Sequence, residues 1–310
     1  MNIPSFTVSG VATGGYPAAG SLSGLSTIQL TTHFIAALIY ADIGHIPGKV
    51  SIITGSSSGL GRAIALKFAD HGAAVVCADR DPTSRGRKDG ATHEVLQKRG
   101  QRSIFVPTDV SEETGVQKLI QEAVREYGQL DIMVNNAGIA HEAPQPRPIW
   151  QTPVDVFDST WQVNVRGVFL GCKFAGEQML QQIKSSNKAR NGTIINIASV
   201  LGVLGKNGTP AYAAAKGAVI AMTRTAAMDF APHGIYCNSI LPGFTRTNMI
   251  SAMTGNPDME KVLAKGHPLQ RLGEPEEIAN AALFLASEMS NGITALNMPV
   301  DGGLHGKLGL

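Results

Sequence analysis

The chain has 310 residues, 43% of them hydrophobic and 16% charged, which fits a folded protein with a sizeable core, built as one large α/β domain or two small ones. A formal net charge of +2 leaves no electrostatic case for a nucleic-acid partner. Cys77, Cys172 and Cys237 are widely spaced, odd in number and without metal-ligand spacing, so they read as buried small hydrophobes of a reducing compartment, and a cytoplasmic location is expected.

The first 46 residues stand apart. They are rich in Ser, Thr, Gly and Ala, and no Lys, Arg, Asp or Glu precedes Asp42. Their most apolar stretch, IQLTTHFIAALIY, is 13 residues long and interrupted by polar groups, too short to span a membrane. Positive charge near the start, wanted by a secretory signal, and the Arg content of a mitochondrial presequence are both missing. Residues 1–46 are therefore expected to be a poorly ordered extension, with the folded domain at 47–310.

From Pro47 the pattern alternates. VSIIT (50–54), AVVCAD (74–79), SIFVP (103–107), DIMVN (131–135), TIINIAS (193–199), IYCNSIL (235–241) and ALNMPV (295–300) read as strands apolar on both faces. Helical stretches such as GRAIALKFADHG, VQKLIQEAVREYG and PEEIANAALFLAS separate them. Strands buried on both faces and alternating with helices predict a parallel, doubly wound sheet of seven strands, with its ligand crevice at the strands' carboxyl ends. No linker divides the region and no repeat recurs in it. The NGT tripeptides at Asn191 and Asn207 read as ordinary turns.

Directly after the first strand comes TGSSSGLG, Thr54 to Gly61, opening a helix. Glycines at 55, 59 and 61 let the backbone approach a ligand closely, and the helix amino end offers N–H groups to a pyrophosphate. The second strand ends in Asp79, 18 residues beyond Gly61, near the distance at which an acid meets an adenosine ribose. A carboxylate there accepts bonds from both ribose hydroxyls and repels a 2′-phosphate, favouring NAD. The adjacent Arg80 keeps NADP open, because a guanidinium can hold that phosphate.

Further along, YAAAK (212–216) puts Tyr212 and Lys216 on one helix face, a geometry equally common on a solvated surface. Read together, TGSSSGLG, NNAG (135–138), Asn164, Ser199 thirteen residues before Tyr212, YAAAK, PGFTRT (242–247) and VDGG (300–303) resemble the short-chain dehydrogenase/reductase family. The resemblance spans roughly residues 48–304. It implies a Rossmann-like α/β fold and an NAD(P)-dependent oxidoreductase interconverting a secondary alcohol and a ketone. Gly55, Ser57, Gly59, Leu60 and Gly61 would line the cofactor phosphates, Asp79 the ribose, and Asp109 and Val110 the adenine. Asn136, Ala137 and Gly138 would run beneath the cofactor, while Thr245 and Thr247 would hold the nicotinamide carboxamide. Asn164, Ser199, Tyr212 and Lys216 would be the catalytic four, Tyr212 and Lys216 also touching the cofactor.

That chemistry explains YAAAK. Moving hydride to or from an alcohol carbon requires a proton to move on the oxygen, and a tyrosine titrating near pH ~10 needs neighbouring positive charge to serve as base. Lys216 is expected to supply it, Ser199 to hold the substrate oxygen, and Asn164 to keep a proton-relaying water. Two alternatives remain: an NADPH-dependent carbonyl reductase in which Arg80 outweighs Asp79, and a silent cofactor-binding scaffold. One departure from the family is Ala295, where Gly is frequent; another is the extension. Residues 244–268 read as a mobile substrate lid, and EAPQPRPIWQTP (142–153), carrying Trp150, as the opposite wall. His141, His233 and His267 read as surface or turn residues and His71 as a helix cap; no metal site is expected. Self-association as a tetramer or dimer is implied by the resemblance alone.

Overall fold

The computed structural model describes residues 44–83, 89–183 and 191–307, all within the unit Gly44–Leu310. Most of the expected extension, residues 1–43, lies outside the described residues. Ile46, which the sequence reading leaves in that extension, is buried among the core side chains, and its N–H donates to the His71 carbonyl at 3.0 Å.

Seven parallel strands form one sheet: β1 (Val50–Thr54), β2 (Ala74–Asp79), β3 (Ser103–Pro107), β4 (Ile132–Asn135), β5 (Gly192–Ile197), β6 (Ile235–Pro242) and β7 (Asn297–Val300). Their order is β3-β2-β1-β4-β5-β6-β7. Successive residues of a strand face opposite sides, so Ile52 and Val76 enter one apolar cluster while Ile53 and Val75 enter the other. The first cluster is closed by α3 (Glu113–Tyr127), α5 (Gly167–Ile183) and α6 (Pro210–Phe230), the second by α1 (Gly59–Asp70), α2 (Thr92–Lys98) and α9 (Pro275–Ala286). Each aliphatic side chain fully withdrawn from water contributes about 1.5–3 kcal/mol, which is why these continuous apolar runs commit to a sheet covered on both faces. The expected doubly wound architecture is thus the observed one.

Boundaries differ where local chemistry intervenes. β4 begins at Ile132, because the Asp131 carboxylate turns aside to accept the Val50 N–H at 2.8 Å and to pair with Lys49 at 3.4 Å. β7 begins at Asn297 instead of Ala295, because Ala295 sits at φ +61°, outside any strand conformation. His71 caps α1 as expected, with Gly72 at φ +90° reversing the chain into β2.

Candidate active site

The chain order reverses between β1 and β4, and the loops leaving the carboxyl ends of these strands open a cavity of about 1140 Å³. Among the site residues expected from the sequence, all line it except Gly61 and Asn164, which stand directly behind its wall. At its centre Gly55 takes φ +68°, and a Cβ on Gly61 would come within 2.2 Å of the Gly55 carbonyl oxygen. The loop therefore closes only with these glycines. Helix α1 starts without a side-chain cap and without an acid in its first turn, leaving its positive end for an anion. Asn136 braces the loop, its side-chain amide donating to Thr54 O at 2.8 Å, while its own N–H and that of Ala137 both donate to Thr54 Oγ1 at 3.0 Å.

At one end of the cavity the Asp79 carboxylate accepts the Ser57 N–H at 3.1 Å and the Arg80 N–H at 2.8 Å, so its direction is fixed. The Ser111 hydroxyl, 2.6 Å away, holds the Asp109 carboxyl below the ordinary carboxylate range, with a smaller pull from the Arg80 guanidinium. Val110 packs beneath α5, where Gly167 admits it: a Cβ there would lie 2.8 Å from Val110 Cγ2.

At the other end stand Ser199, Tyr212 and Lys216. Ser199 leaves β5, accepts the Leu201 N–H at 3.1 Å and stands beside the Tyr212 phenol. Lys216, one turn along α6, is buried with its ammonium donating to Ile197 O at 2.7 Å and lying 5.6 Å from the Tyr212 ring centre. Burial pushes Tyr212 up to about 12, the Ser199 hydroxyl pulling the other way, and burial brings Lys216 down to about 8. The expectation that Lys216 lowers the phenol is thus not met by the protein alone, because desolvation of both groups dominates. A buried chain, Asn135 Nδ2 to Asn196 Oδ1 at 2.9 Å and Asn196 Nδ2 to Thr223 Oγ1 at 3.0 Å, ties β4, β5 and α6 together beneath these residues.

Some sequence expectations change in the structure. Asn164 sits in a π-helical turn, Gln162–Arg166, between α4 (Val154–Trp161) and α5, and its amide grips one residue of the facing loop: Oδ1 accepts the Ile139 N–H and Nδ2 donates to the Ile139 carbonyl, both at 2.8 Å. Its side chain braces the loop after β4 and keeps one N–H and one oxygen lone pair beyond these two bonds. Trp150 is 80% exposed and forms no wall of the cavity. His267 is buried, neither a surface residue nor a simple turn residue. Of the expected lid, Phe244, Thr245 and Thr247–Ile250 line the cavity, whereas α7 (Ser251–Thr254) and α8 (Pro257–Gly266) lie beyond it.

Glu142 was missed. It is buried against the cavity, and its two carboxylate oxygens accept the Ala211 N–H at 3.0 Å and the Tyr212 N–H at 2.8 Å. Helix α6 has no capping side chain of its own and no acid in its first turn; that deficit is the only signal the sequence offers that an acid comes from elsewhere.

Among the described residues no group of His, Cys, Asp and Glu could hold a metal, and no helix is long and apolar enough to cross a membrane. The residues do fit a dinucleotide: acids at one end, a glycine cradle with an open helix terminus in the middle, and Ser199, Tyr212 and Lys216 at the other end.

The family model described as Enoyl-(Acyl carrier protein) reductase matches residues 55–305. Cis-4-hydroxycyclohexanecarboxylate dehydrogenase of Sinomonas cyclohexanicum is 35% identical over 82% of this chain and 96% of its own. Mouse L-fucose dehydrogenase is 37% identical over 85% of this chain and 90% of its own. The crystal structure of 3-ketoacyl-(acyl-carrier-protein) reductase from Brucella melitensis complexed with NADH superposes with a TM-score of 0.73 at 31% identity, covering 84% of this chain and 99% of that one. With the seven-stranded parallel sheet, its glycine cradle and these likenesses, the chain belongs to the short-chain dehydrogenase/reductase family of oxidoreductases.

Proposed function

We propose that the protein interconverts a secondary alcohol and a ketone, with NAD as its preferred cofactor and Tyr212 as general acid/base. The observation that carries this reading is the convergence of Ser199, Tyr212 and Lys216 at one end of a cavity whose other end holds the glycine cradle and Asp79. When bound, the nicotinamide supplies the hydride acceptor or donor. Tyr212 gives its proton to the carbonyl oxygen in reduction and takes it back in oxidation. Ser199, beside the Tyr212 phenol, orients that oxygen. An ammonium has three donors; Lys216 spends one on Ile197 O, leaving others for the nicotinamide ribose. Gly55, Ser57, Gly59, Leu60 and Gly61 hold the phosphates, Asp109 and Val110 the adenine, and Thr245 and Thr247 the carboxamide.

Preference for NAD rests on Asp79, whose carboxylate two N–H groups fix at the end of β2. The NADPH reading is favoured by the exposed Arg80 beside it and by the NADP bound in a 29% identical solved structure from Agrobacterium tumefaciens. The dehydrogenase named in Sinomonas and the reductase of Brucella, complexed with NADH, support alcohol–ketone chemistry using NAD. The three buried free thiols support a cytoplasmic location. Exposed Ile149, Trp150, Val154 and Phe157 support self-association.

Replacing Tyr212 by Phe tests the central claim. Turnover of secondary alcohols with NAD should fall about a thousandfold, while fluorescence titration with NADH should still report binding. Retained turnover in Tyr212→Phe sinks the mechanism.

A further inference from the structure

We propose that His267 is a positioning residue: its ring, in one tautomer, fixes the Gly243–Phe244 peptide and thereby aims Thr245 at the nicotinamide end of the cavity. The proposal rests on the cofactor reading above, and its test separates the two.

The ring lies at the carboxyl end of α8 and is 1% exposed. Its Nδ1 is 2.9 Å from the Leu263 carbonyl oxygen. A carbonyl can only accept, so Nδ1 carries the hydrogen and Nε2 is left as a bare acceptor. Nε2 in turn receives the Phe244 N–H at 3.2 Å, and the Phe244 ring stands edge-on to the imidazole at 5.9 Å between centres. Each ring nitrogen thus has one partner of the right kind. The contact also ties a last-turn carbonyl of α8 to the loop that leaves β6.

The other side of the same loop is held equally firmly. The Phe244 carbonyl accepts the Gly273 N–H at 2.9 Å, and the side chain of Arg246 pairs with Glu260 of α8 and with Glu274. Thr245, 5% exposed, directs its hydroxyl to the Gly243 carbonyl at 3.2 Å. Gly243 has no room to shift towards the ring, since a Cβ there would lie 2.9 Å from both His267 Nε2 and Asp301 Cα. With Gly273 on one flank and Gly243 crowded on the other, the Phe244 N–H has one acceptor, and losing it frees the peptide next to Thr245.

The two amide side chains divide the ring between them. Glutamine reaches the Nε2 position and can accept from Phe244; asparagine reaches only the Nδ1 position and can serve Leu263 alone. NADH binding is measured against ADP-ribose, which lacks the nicotinamide, and NADPH against 2′-phospho-ADP-ribose. In His267→Asn the nicotinamide-bearing ligand should bind about tenfold more weakly, the truncated ligand should bind as in wild type, and His267→Gln should stay within about twofold of wild type. The proposal is overturned if His267→Asn binds NADH as wild type does, if it loses both ligands equally, or if His267→Gln is as weak as His267→Asn. Should neither variant fold, nitrogen NMR of the wild-type ring decides: a protonated Nδ1 with a bare Nε2 supports the proposal, and the opposite tautomer or a doubly protonated ring overturns it. A wild-type protein that binds none of the four ligands sinks the cofactor reading, and this proposal with it.

Discussion

Tyr212 and Lys216 lie one helical turn apart, and burial moves them in opposite senses, the phenol up to about 12 and the amine down to about 8. At neutral pH the phenol therefore carries its proton, the form that reduction of a ketone consumes. Oxidation of an alcohol needs the phenolate, so its initial rate should climb with pH, approaching tenfold per unit below the operative pKa, while ketone reduction stays flat through neutrality. Parallel pH–rate profiles in the two directions check this. Lys216 has a stability signature as well. Its folded value of about 8 lies below the unfolded 10.5, so between those values the unfolded chain binds more protons and stability rises with pH. Lys216→Met should accordingly melt above wild type at pH 7, with the difference shrinking as the pH is raised through that window. Glu142→Ala should cost about 1–3 kcal/mol in thermal unfolding, since two buried N–H groups lose their acceptor. Tyr212 and Lys216 were legible in the sequence because one helical turn separates them and the surrounding motifs resemble the family, and Ser199 through that resemblance alone. Glu142 was not, because 69 and 70 residues separate it from the groups it holds.

Elements were legible wherever both faces of a strand are apolar, and less so where a single backbone angle decides. Ala295 is the clearest case: at φ +61° it strains a position that Gly occupies freely. Ala295→Gly should raise stability by about 0.5–1 kcal/mol, visible as a melting temperature a few degrees higher. Gly176 predicts the opposite. A Cβ there would lie 2.1 Å from Phe230 Cζ, so Gly176→Ala must displace the Phe230 ring and should cost about 1–3 kcal/mol. The π turn at Gln162–Arg166 left no trace in the periodicity, since one extra residue per turn is invisible among side chains of mixed polarity. The bonds from Asn164 to the Ile139 backbone were likewise not foreseen. His267 escaped for a related reason: its neighbours look like a loop, and only folding brings Phe244 and Leu263 to its two nitrogens.

At the scale of the whole molecule, the glycine cradle, Asp79 and the Ser199–Tyr212–Lys216 group come from the separate strand ends of one sheet, and their convergence follows from strand order. Titration with NADH and NADPH reads Asp79 against Arg80 directly: tighter NADH marks the carboxylate as dominant, tighter NADPH the guanidinium. That order has a further cost, paid before the enzyme exists. β1 is flanked by β2 and β4, and β4 begins at Ile132, 25 residues after β3 ends at Pro107. A ribosome adding roughly 5–20 residues per second needs about 1–5 s to supply them. For that interval β1, β2 and β3 can assemble alone, with the edge of Val50–Thr54 open to any passing strand. The strand that will carry the cradle is thus open to mispairing on a nascent chain until β4 arrives.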